Sequence, residues 1–309
     1  MFYSRIEKHS VNPQGQELLS FVVTYPRSIL PEFNTHTIIS KNTSSSRAIP
    51  YEYKGTRKDW QPPSMREMVL TDPYLPLYYG RNERGMQATQ ELDQHEREQC
   101  IETILRLRDS AVAAADDLWH IGLHKQDCNR YIEPWAWTTQ VLTGTHWANF
   151  FALRTHKDAH PAFRHIARRM YLQYKASKPT LLLPGQWHLP FVEDTELDLY
   201  NIKDAQVMSV ARCARLSYTT HDTGERSLEA DYRTYEKLNP TEGPKHMSPF
   251  GHQGTPAQCS GVVGGRAYYT DWIASNFQGW NQLRKFIPNE NILKFEPSEQ
   301  EILEWGVND

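Results

Sequence analysis

The sequence predicts a helix-rich α/β fold with a modest sheet. A run of β-branched and aromatic residues from Leu18 to Tyr25, closed by Pro26, predicts a strand. From about Leu92 to Ile121, apolar residues recur at three-, four- and seven-residue steps, which predicts a long helix that Gly122 would end. A second helix is predicted over 159–176, where an apolar stripe lies opposite several arginines.

The rest of the chain is assigned from its local composition. Residues 34–50 are dense in hydroxyl and amide side chains, which favours caps and turns. Residues 51–90 are rich in Pro, Tyr, Gly and charge without a clear period, so we expect a long ordered loop region. Further helices are predicted at about 135–153, from an Asp204 N-cap through Ala214, at 227–238 and near 297–305.

Composition excludes several classes of protein. The 309 residues carry 34 Lys and Arg against 37 Asp and Glu, a formal charge of −3, which argues against chain-wide binding of nucleic acid. No apolar run approaches the ~18 residues of a membrane helix, and the first residues lack a secretory h-region. The four cysteines include no CxxC pair. We therefore expect a soluble, cytoplasmic protein with a small-molecule substrate, bound to neither nucleic acid nor membrane.

Two sets of residues are suited to binding an anion. The pattern Ser40-x-Asn42-x-x-Ser45-x-Arg47 places a guanidinium beside hydroxyls and amides, which suits a phosphate, although a capped turn with a surface arginine would look the same. Arg130 and Arg154 belong to different predicted elements and could converge on one anion. Each could equally be an ion-paired surface residue.

The histidines leave a choice between site and structure. His246 and His252 flank a Ser-Pro turn and could donate hydrogen bonds, exchange protons or pack structurally. The pairs His120/His124 and His156/His160 have the one-turn spacing of helical metal ligands. Neither pair carries the glutamate of an HExxH motif or an evident third ligand, so no metal site is predicted.

Taken together, these segments resemble the flavin-dependent thymidylate synthases. Residues 35–47 resemble the family signature Arg-His-Arg-x-x-Ser-x-Asn-x-x-Ser-x-Arg, and 129–154 resemble the second half of the family's nucleotide site. Residues 211–218 are similar to its Ala-Arg-Val-Ser-Tyr segment, and 246–252 to its His-x-Ser/Thr-Pro-Phe-Glu-His segment. The last two segments come first in common members, so the order here resembles a circularly permuted, long, phage-like form.

The resemblance implies a fold and an assembly. The implied fold is α/β (α+β), helix-rich with a central mixed sheet, in a homotetramer whose sites lie between subunits. One catalytic domain would span 1–309. Its parts would be a nucleotide and flavin motif (18–50), the extended loop region (51–90), a helical nucleotide-binding part (92–176), a flavin-side part (204–258) and a C-terminal extension (259–309).

The resemblance also implies roles for individual residues. Ser45 and Arg47 fall where the family binds the nucleotide phosphate, and Arg130 and Arg154 where it holds the nucleotide. Arg154 would lie at the pyrimidine and act catalytically, because a fixed positive charge stabilises an enolate. The residues at or near flavin contacts would be His36, Ile38, Ser40, Asn42, Asn149, Ser217, His246 and Ser248. The cofactor would be FAD, with NADPH and methylene-tetrahydrofolate as co-substrates.

Departures from the family pattern keep more than one reaction open. Thr37 replaces the second arginine of the signature, Gly251 replaces a glutamate, and His160 and Ala162 replace Gln and Glu. The leading expectation is a methyltransferase that converts dUMP to dTMP. The alternatives are C5 hydroxymethylation or oxygen-dependent hydroxylation of dUMP or dCMP, and a non-catalytic nucleotide-binding protein. Residues 276–285 of the extension could border the site or only pack.

Overall fold

The computed structural model describes residues 1–59, 61–217, 227–273, 275–291 and 296–305. Its centre is a five-stranded sheet in the order β3-β4-β2-β1-β5. The strands are β1 (Tyr3–Val11), β2 (Glu17–Pro26), β3 (Ser40–Thr43), β4 (Trp137–Gly144) and β5 (Thr180–Leu181). All neighbours run antiparallel except β1 and β5, which are parallel. The predicted mixed sheet is therefore confirmed.

Ten helices and two small sheets surround this sheet in the described residues. The helices are α1 (Leu30–Asn34), α2 (Met65–Thr71), α3 (Gln94–Ile121), α4 (Lys125–Cys128), α5 (Ala148–Arg154), α6 (Pro161–Ala176), α7 (Asp194–Leu199), α8 (Ile202–Ser217), α9 (Leu228–Leu238) and α10 (Glu299–Trp305). Strands β6 (Gly254–Pro256) and β9 (Trp280–Gln282) form one pair, and β7 (Cys259–Val263) and β8 (Arg266–Tyr269) form the other. Among the helices of this part of the chain, none combines the length and apolarity of a membrane crossing.

The sheet is built around β2, which is the strand predicted from its β-branched and aromatic run. From Leu18 to Pro26 every residue of β2 is buried. The ring of Tyr25 stacks on that of Phe33 at a centroid distance of 4.2 Å, and Phe33 packs at the same distance against Phe163 of α6. The main core therefore lies between β2 and the apolar stripe of α6, as the spacing of that stripe predicts.

The predicted ends of the long helix are confirmed by its caps. Asp93 and Glu96 form a reciprocal capping box at the start of α3, and Gly122 ends the helix with a φ of 105°. This left-handed conformation suits glycine, which has no Cβ to clash. The helices predicted at 159–176, 227–238 and near 297–305 are also present, as α6, α9 and α10.

Two local predictions were wrong, and two were incomplete. The helix expected at 135–153 is the strand β4 followed by the short α5, because the stretch 137–144 pairs with β2 on one side and β3 on the other. The loop region 51–90 contains the helix α2, for which Ser64 is the N-cap. The turn-rich stretch 34–50 contains β3. Asp204 lies within the first turn of α8, and its backbone amide donates to Oδ1 of Asn201 at 3.0 Å, so Asn201 caps the helix.

Candidate active site

A polar cavity of about 750 Å³ opens beside β3, and we call it the β3 cavity. One wall is formed by the chain before and along β3, with Asn34, Thr37, Ile39, Ser40 and Lys41. Opposite lie Ser248 and Gly251 from the Ser-Pro turn, and Ser275, Asn276, Gln282, Arg284 and Lys285 from the C-terminal extension. Residues of 276–285 therefore do border the cavity, which was one of the two roles left open by the sequence.

Buried hydrogen bonds hold these walls together. Nε2 of Gln282 donates to Oγ of Ser40 at 3.0 Å and to the carbonyl of Gly251 at 2.8 Å. Oγ of Ser248 donates to Oδ1 of Asn42 at 3.1 Å, and Nδ2 of Asn42 donates to the carbonyl of Cys213 at 2.7 Å. The segments around residues 42, 213 and 248, far apart in sequence, thus meet at one place.

The Ser-Pro turn is also fixed to the sheet by a buried chain of polar side chains. Nδ1 of His252 lies 2.9 Å from Oγ1 of Thr143, which lies 2.6 Å from Oγ of Ser20. His188 continues the chain, with Nε2 2.8 Å from Ser20 and Nδ1 2.9 Å from Oγ of Ser10. Burial lowers the pKa of His252 to about 3 and that of His188 well below its usual value. Both imidazoles are therefore neutral and structural at neutral pH.

Positive charge collects on two sides of the β3 cavity. Nζ of Lys41 donates to the carbonyls of His36 and Ile39, the latter at 2.9 Å, and burial lowers the pKa of its ammonium. Across the cavity, Arg284 and Lys285 share one carboxylate, that of Glu290. The sequence did not single out any of these three cations as a binding residue.

Arg154 is held rigidly beside the same wall. Its Nε donates to Nε2 of His36 at 2.8 Å, its Nη2 donates to Oγ1 of Thr35 at 3.1 Å, and its Nη1 lies 3.4 Å from Oε2 of Glu32. The guanidinium also lies over the ring of Phe163, 4.6 Å from the centroid. Arg154 is thus positioned by an aromatic face and three polar partners.

His36 is the residue of this wall that accepts a hydrogen bond from Nε of Arg154. Burial, with the positive charges of Arg154 and Lys41, lowers the pKa of His36 to about 4, so the ring is neutral at pH 7. Since Nε2 accepts from Arg154, the ring proton belongs on Nδ1. His36 lies between Asn34 and Thr37, which both line the β3 cavity.

Arg47 and Arg130 lie at the other end of β3. Both are exposed, and they belong to segments joined by Asn129, whose Nδ2 donates to the carbonyls of Ser46 at 2.7 Å and Ile49 at 2.9 Å. Ser45 accepts from the amide of Ala48 in the same turn. β3 separates this region from the Arg154 side by ~10 Å of extended chain. Of the three arginines, none lines the β3 cavity within the part of the chain that the structure describes.

The remaining predicted flavin-side residues are less closely grouped. Ile38, Asn149 and His246 are exposed and do not line the cavity. Ser217 is the last residue of α8, and its side chain falls outside the described residues, as does Tyr218 of the same motif. Of the eight residues, Ser40 and Ser248 line the cavity, while His36 and Asn42 contact residues that line it.

The departures from the family pattern have local structural consequences. Gly251 is buried, and a Cβ placed on it would lie 3.5 Å from both Oγ of Ser40 and Nε2 of Gln282. His160 caps α6, with Nδ1 accepting from the amide of Ala162, and Ala162 is fully buried. Within the described residues, no group of three His, Cys, Asp or Glu side chains is arranged to hold a metal ion.

Comparison with known proteins gives weak structural similarities and one family match. No curated protein sequence matches the chain. Two solved structures of the UMP/dUMP methylase PolB from Streptomyces cacaoi are similar. The structure bound with 5-Br UMP has a TM-score of 0.45 and a sequence identity of 14%. The match covers 57% of this chain and 89% of the methylase chain. The structure bound with 5-Br dUMP has a TM-score of 0.38 and a sequence identity of 17%. The match covers 52% of this chain and 66% of the methylase chain.

The family model described as thymidylate synthase complementing protein matches residues 7–180. This range is more than half of the chain and includes part of β1, all of β2 to β4, both Arg47 and Arg154, and the core helix α6. The chain therefore belongs to the thymidylate synthase complementing protein family and is a thymidylate synthase-like enzyme.

Proposed function

We propose that the protein modifies C5 of a deoxypyrimidine monophosphate, by reductive methylation of dUMP to dTMP. Methylene-tetrahydrofolate would supply the carbon and NADPH the electrons. The observation that carries this proposal is the rigid, cationic Arg154 beside a polar cavity of about 750 Å³, within a family of thymidylate synthase-like enzymes.

The residues of the β3 cavity fit an FAD. Its volume lies within the range of ligand pockets, ~300–1,000 Å³. Hydroxyls of Ser40 and Ser248 and amides of Asn276 and Gln282 can hydrogen-bond a polar ring system. When bound, a flavin supplies the redox and one-carbon chemistry that no side chain of the protein has.

Arg154 would supply the electrostatic part of the reaction. As C5 of the pyrimidine becomes nucleophilic, negative charge develops on a carbonyl oxygen of the base, and a guanidinium stays protonated throughout. The contacts with His36, Thr35 and Phe163 fix the guanidinium before substrate binds, so little reorganisation is needed. Neutral His36 would contribute by orienting Arg154 rather than by adding charge.

Arg47 and Arg130 would bind the nucleotide phosphate. Both guanidinia are exposed, and the Asn129 hydrogen bonds fix the relative position of their segments. Because β3 separates them from the cavity, we propose that the complete site uses residues of more than one subunit of a homotetramer. Native mass spectrometry of the purified protein tests this assembly.

The environment of Gly251 supports a second reaction. At this position the family pattern has a glutamate, whereas here Ser40 and Gln282 pack against the glycine. A cavity with one carboxylate fewer could accept another carbon or oxygen donor. The second candidate is therefore C5 hydroxymethylation, or oxygen-dependent hydroxylation, of dUMP or dCMP.

A product-mass assay separates these reactions. The purified protein is incubated with FAD, NADPH and methylene-tetrahydrofolate, and with dUMP or dCMP in parallel samples. A product 14 mass units (~14 Da, one CH₂) above dUMP supports the methylation proposal. A gain of one oxygen or of CH₂O, or turnover of dCMP alone, supports the second candidate. No product, from a protein that neither carries nor binds FAD, would contradict both.

A further inference from the structure

The C-terminal extension brings two cations to a cavity whose other wall already has one. Lys41 belongs to β3, whereas Arg284 and Lys285 belong to a short 3₁₀ helix at Leu283–Phe286. This helix lies outside the range matched by the family model. The charge on this side of the cavity is therefore a feature of this chain's own extension.

The 3₁₀ helix is anchored at its start, so the two cations have a defined position. The amide of Leu283 donates to the carbonyl of Gln253 at 3.0 Å, and the Leu283 side chain is buried. Just before it, Gln282 is hydrogen-bonded to Ser40 and Gly251. Arg284 and Lys285 thus follow directly after two residues, Gln282 and Leu283, that are hydrogen-bonded to other parts of the chain.

The cations exceed the negative charge that faces them. Nζ of Lys285 lies 2.5 Å from Oε1 of Glu290, and Nε of Arg284 contacts the other oxygen of the same carboxylate. Lys41 is hydrogen-bonded to two backbone carbonyls and, in the described part of the chain, to no carboxylate. Three positive charges are thus matched by one negative charge, which favours an anionic ligand.

The arrangement is suited to phosphate in particular. Nε and Nη2 of Arg284 donate to Glu290 and to Oδ1 of Asn291, so a phosphate would bind through Nη1 or by displacing those partners. The two lysines add compact positive charges. The hydroxyls of Ser40 and Thr37 on the cavity wall can donate to further oxygens.

We propose that Lys41, Arg284 and Lys285 form a phosphate-binding site of the β3 cavity, and that Glu290 neutralises part of their charge until the ligand binds. The inference rests on the proposed function in one respect, since it takes the ligand to be a phosphate-bearing participant of that reaction. Because Arg47 and Arg130 are proposed for the nucleotide phosphate, the expected ligand is the diphosphate of FAD; the monophosphate of dUMP has the same chemistry, and binding experiments distinguish the two.

The test compares ligands with and without phosphate on the full-length protein. Isothermal titration calorimetry measures the Kd of FAD, riboflavin, dUMP and 2′-deoxyuridine for the wild type, for Arg284→Gln/Lys285→Gln and for Lys285→Gln alone. We expect the double variant to bind one phosphate-bearing ligand at least ~10-fold more weakly, with unchanged binding of its phosphate-free counterpart. Weakened FAD binding assigns the site to the flavin, and weakened dUMP binding assigns it to the substrate.

Two further variants separate direct binding from structural support. Glu290→Gln leaves both cations in place without their carboxylate, so we expect the phosphate-bearing ligand to bind more tightly, or at least as tightly as to the wild type. Arg266→Gln, on the exposed strand β8 of the same extension, is a matched control for overall charge and should leave every Kd unchanged. Weaker binding in Glu290→Gln, or an equal loss in Arg266→Gln, would overturn the inference.

The inference is also overturned if the double variant binds FAD and dUMP as the wild type does, or if riboflavin binding falls as much as FAD binding. The wild type must bind FAD or dUMP measurably for the site to exist. Failure of the proposed function gives a different result. If the protein forms no C5-modified product but still shows phosphate-dependent binding, the proposed reaction is wrong and the phosphate site stands.

Discussion

The buried histidine at the Ser-Pro turn should make the protein sensitive to acid. His252 is fully buried, and its folded-state pKa of about 3 is far below its usual value of 6.5. Between these two values the unfolded chain binds a proton that the folded chain does not, so stability falls as the pH falls below 6.5. At pH 4.5, two units below the unfolded pKa, this group alone should lower the free energy of unfolding by roughly 3 kcal/mol relative to pH 8.

The matched variant is His252→Asn, because an asparagine can still hydrogen-bond Thr143 but does not titrate. Urea unfolding followed by circular dichroism at pH 8, 6 and 4.5 gives the pH slope of stability for both proteins. We expect the variant to be less stable at pH 8, since it loses part of the ring's packing, but to lose roughly 3 kcal/mol less on going to pH 4.5. His252 is one of several groups that lower the pKa of His188, so removing it also reduces the acid sensitivity that His188 contributes. An identical slope in wild type and variant would therefore refute the reasoning.

Three other substitutions address the site and the fold. Arg154→Lys keeps the positive charge but loses the guanidinium geometry that three polar partners fix. We expect kcat for product formation to fall about a hundredfold, with little change in FAD affinity. A wild-type kcat would contradict a catalytic role for Arg154. Asp231→Ala leaves Arg215, 2.5 Å away, without its buried carboxylate, whereas Arg212, 3.6 Å away, keeps its pair with Glu196. The free energy of unfolding should fall by about 3–5 kcal/mol in denaturant titration, and a loss below ~1 kcal/mol would contradict a buried ion pair. Gly122→Ala places a side chain on a left-handed residue and should lower the free energy of unfolding by ~1–2 kcal/mol. Thermal unfolding measures this loss, and an unchanged Tm would contradict the expected strain.

The sequence predicted those parts of the fold whose local signal agrees with their packing. The run at 18–26 is strand-like in composition and is also the buried centre of the sheet. The ends of α3 follow from a capping residue and a glycine. The wrong helix at 135–153 includes β4, whose strand identity comes from pairing with β2 on one side and β3 on the other. Such long-range pairing is not encoded in a local window.

Site residues that belong to a sequence motif could be predicted, whereas residues that only the tertiary fold brings to the cavity could not. Ser40, Asn42 and Ser248 were named from their motifs, and hydrogen bonds join their segments. That Arg47 and Arg130 would lie at the other end of β3 from Arg154 could not be read from spacing along the chain. Lys41 and Lys285 were missed because isolated lysines are common on protein surfaces, and only the folded cavity gives them a shared position.

The two walls of the β3 cavity differ in their relation to the family model. The strand-borne wall lies inside the range shared with the family, whereas Gln282, Arg284 and Lys285 lie about a hundred positions beyond it. Gln282 is hydrogen-bonded to the sheet, whereas Arg284 and Lys285 pair with Glu290 of the extension itself. Substitutions confined to Arg284 and Lys285 are therefore the ones expected to change ligand selectivity without disturbing the sheet.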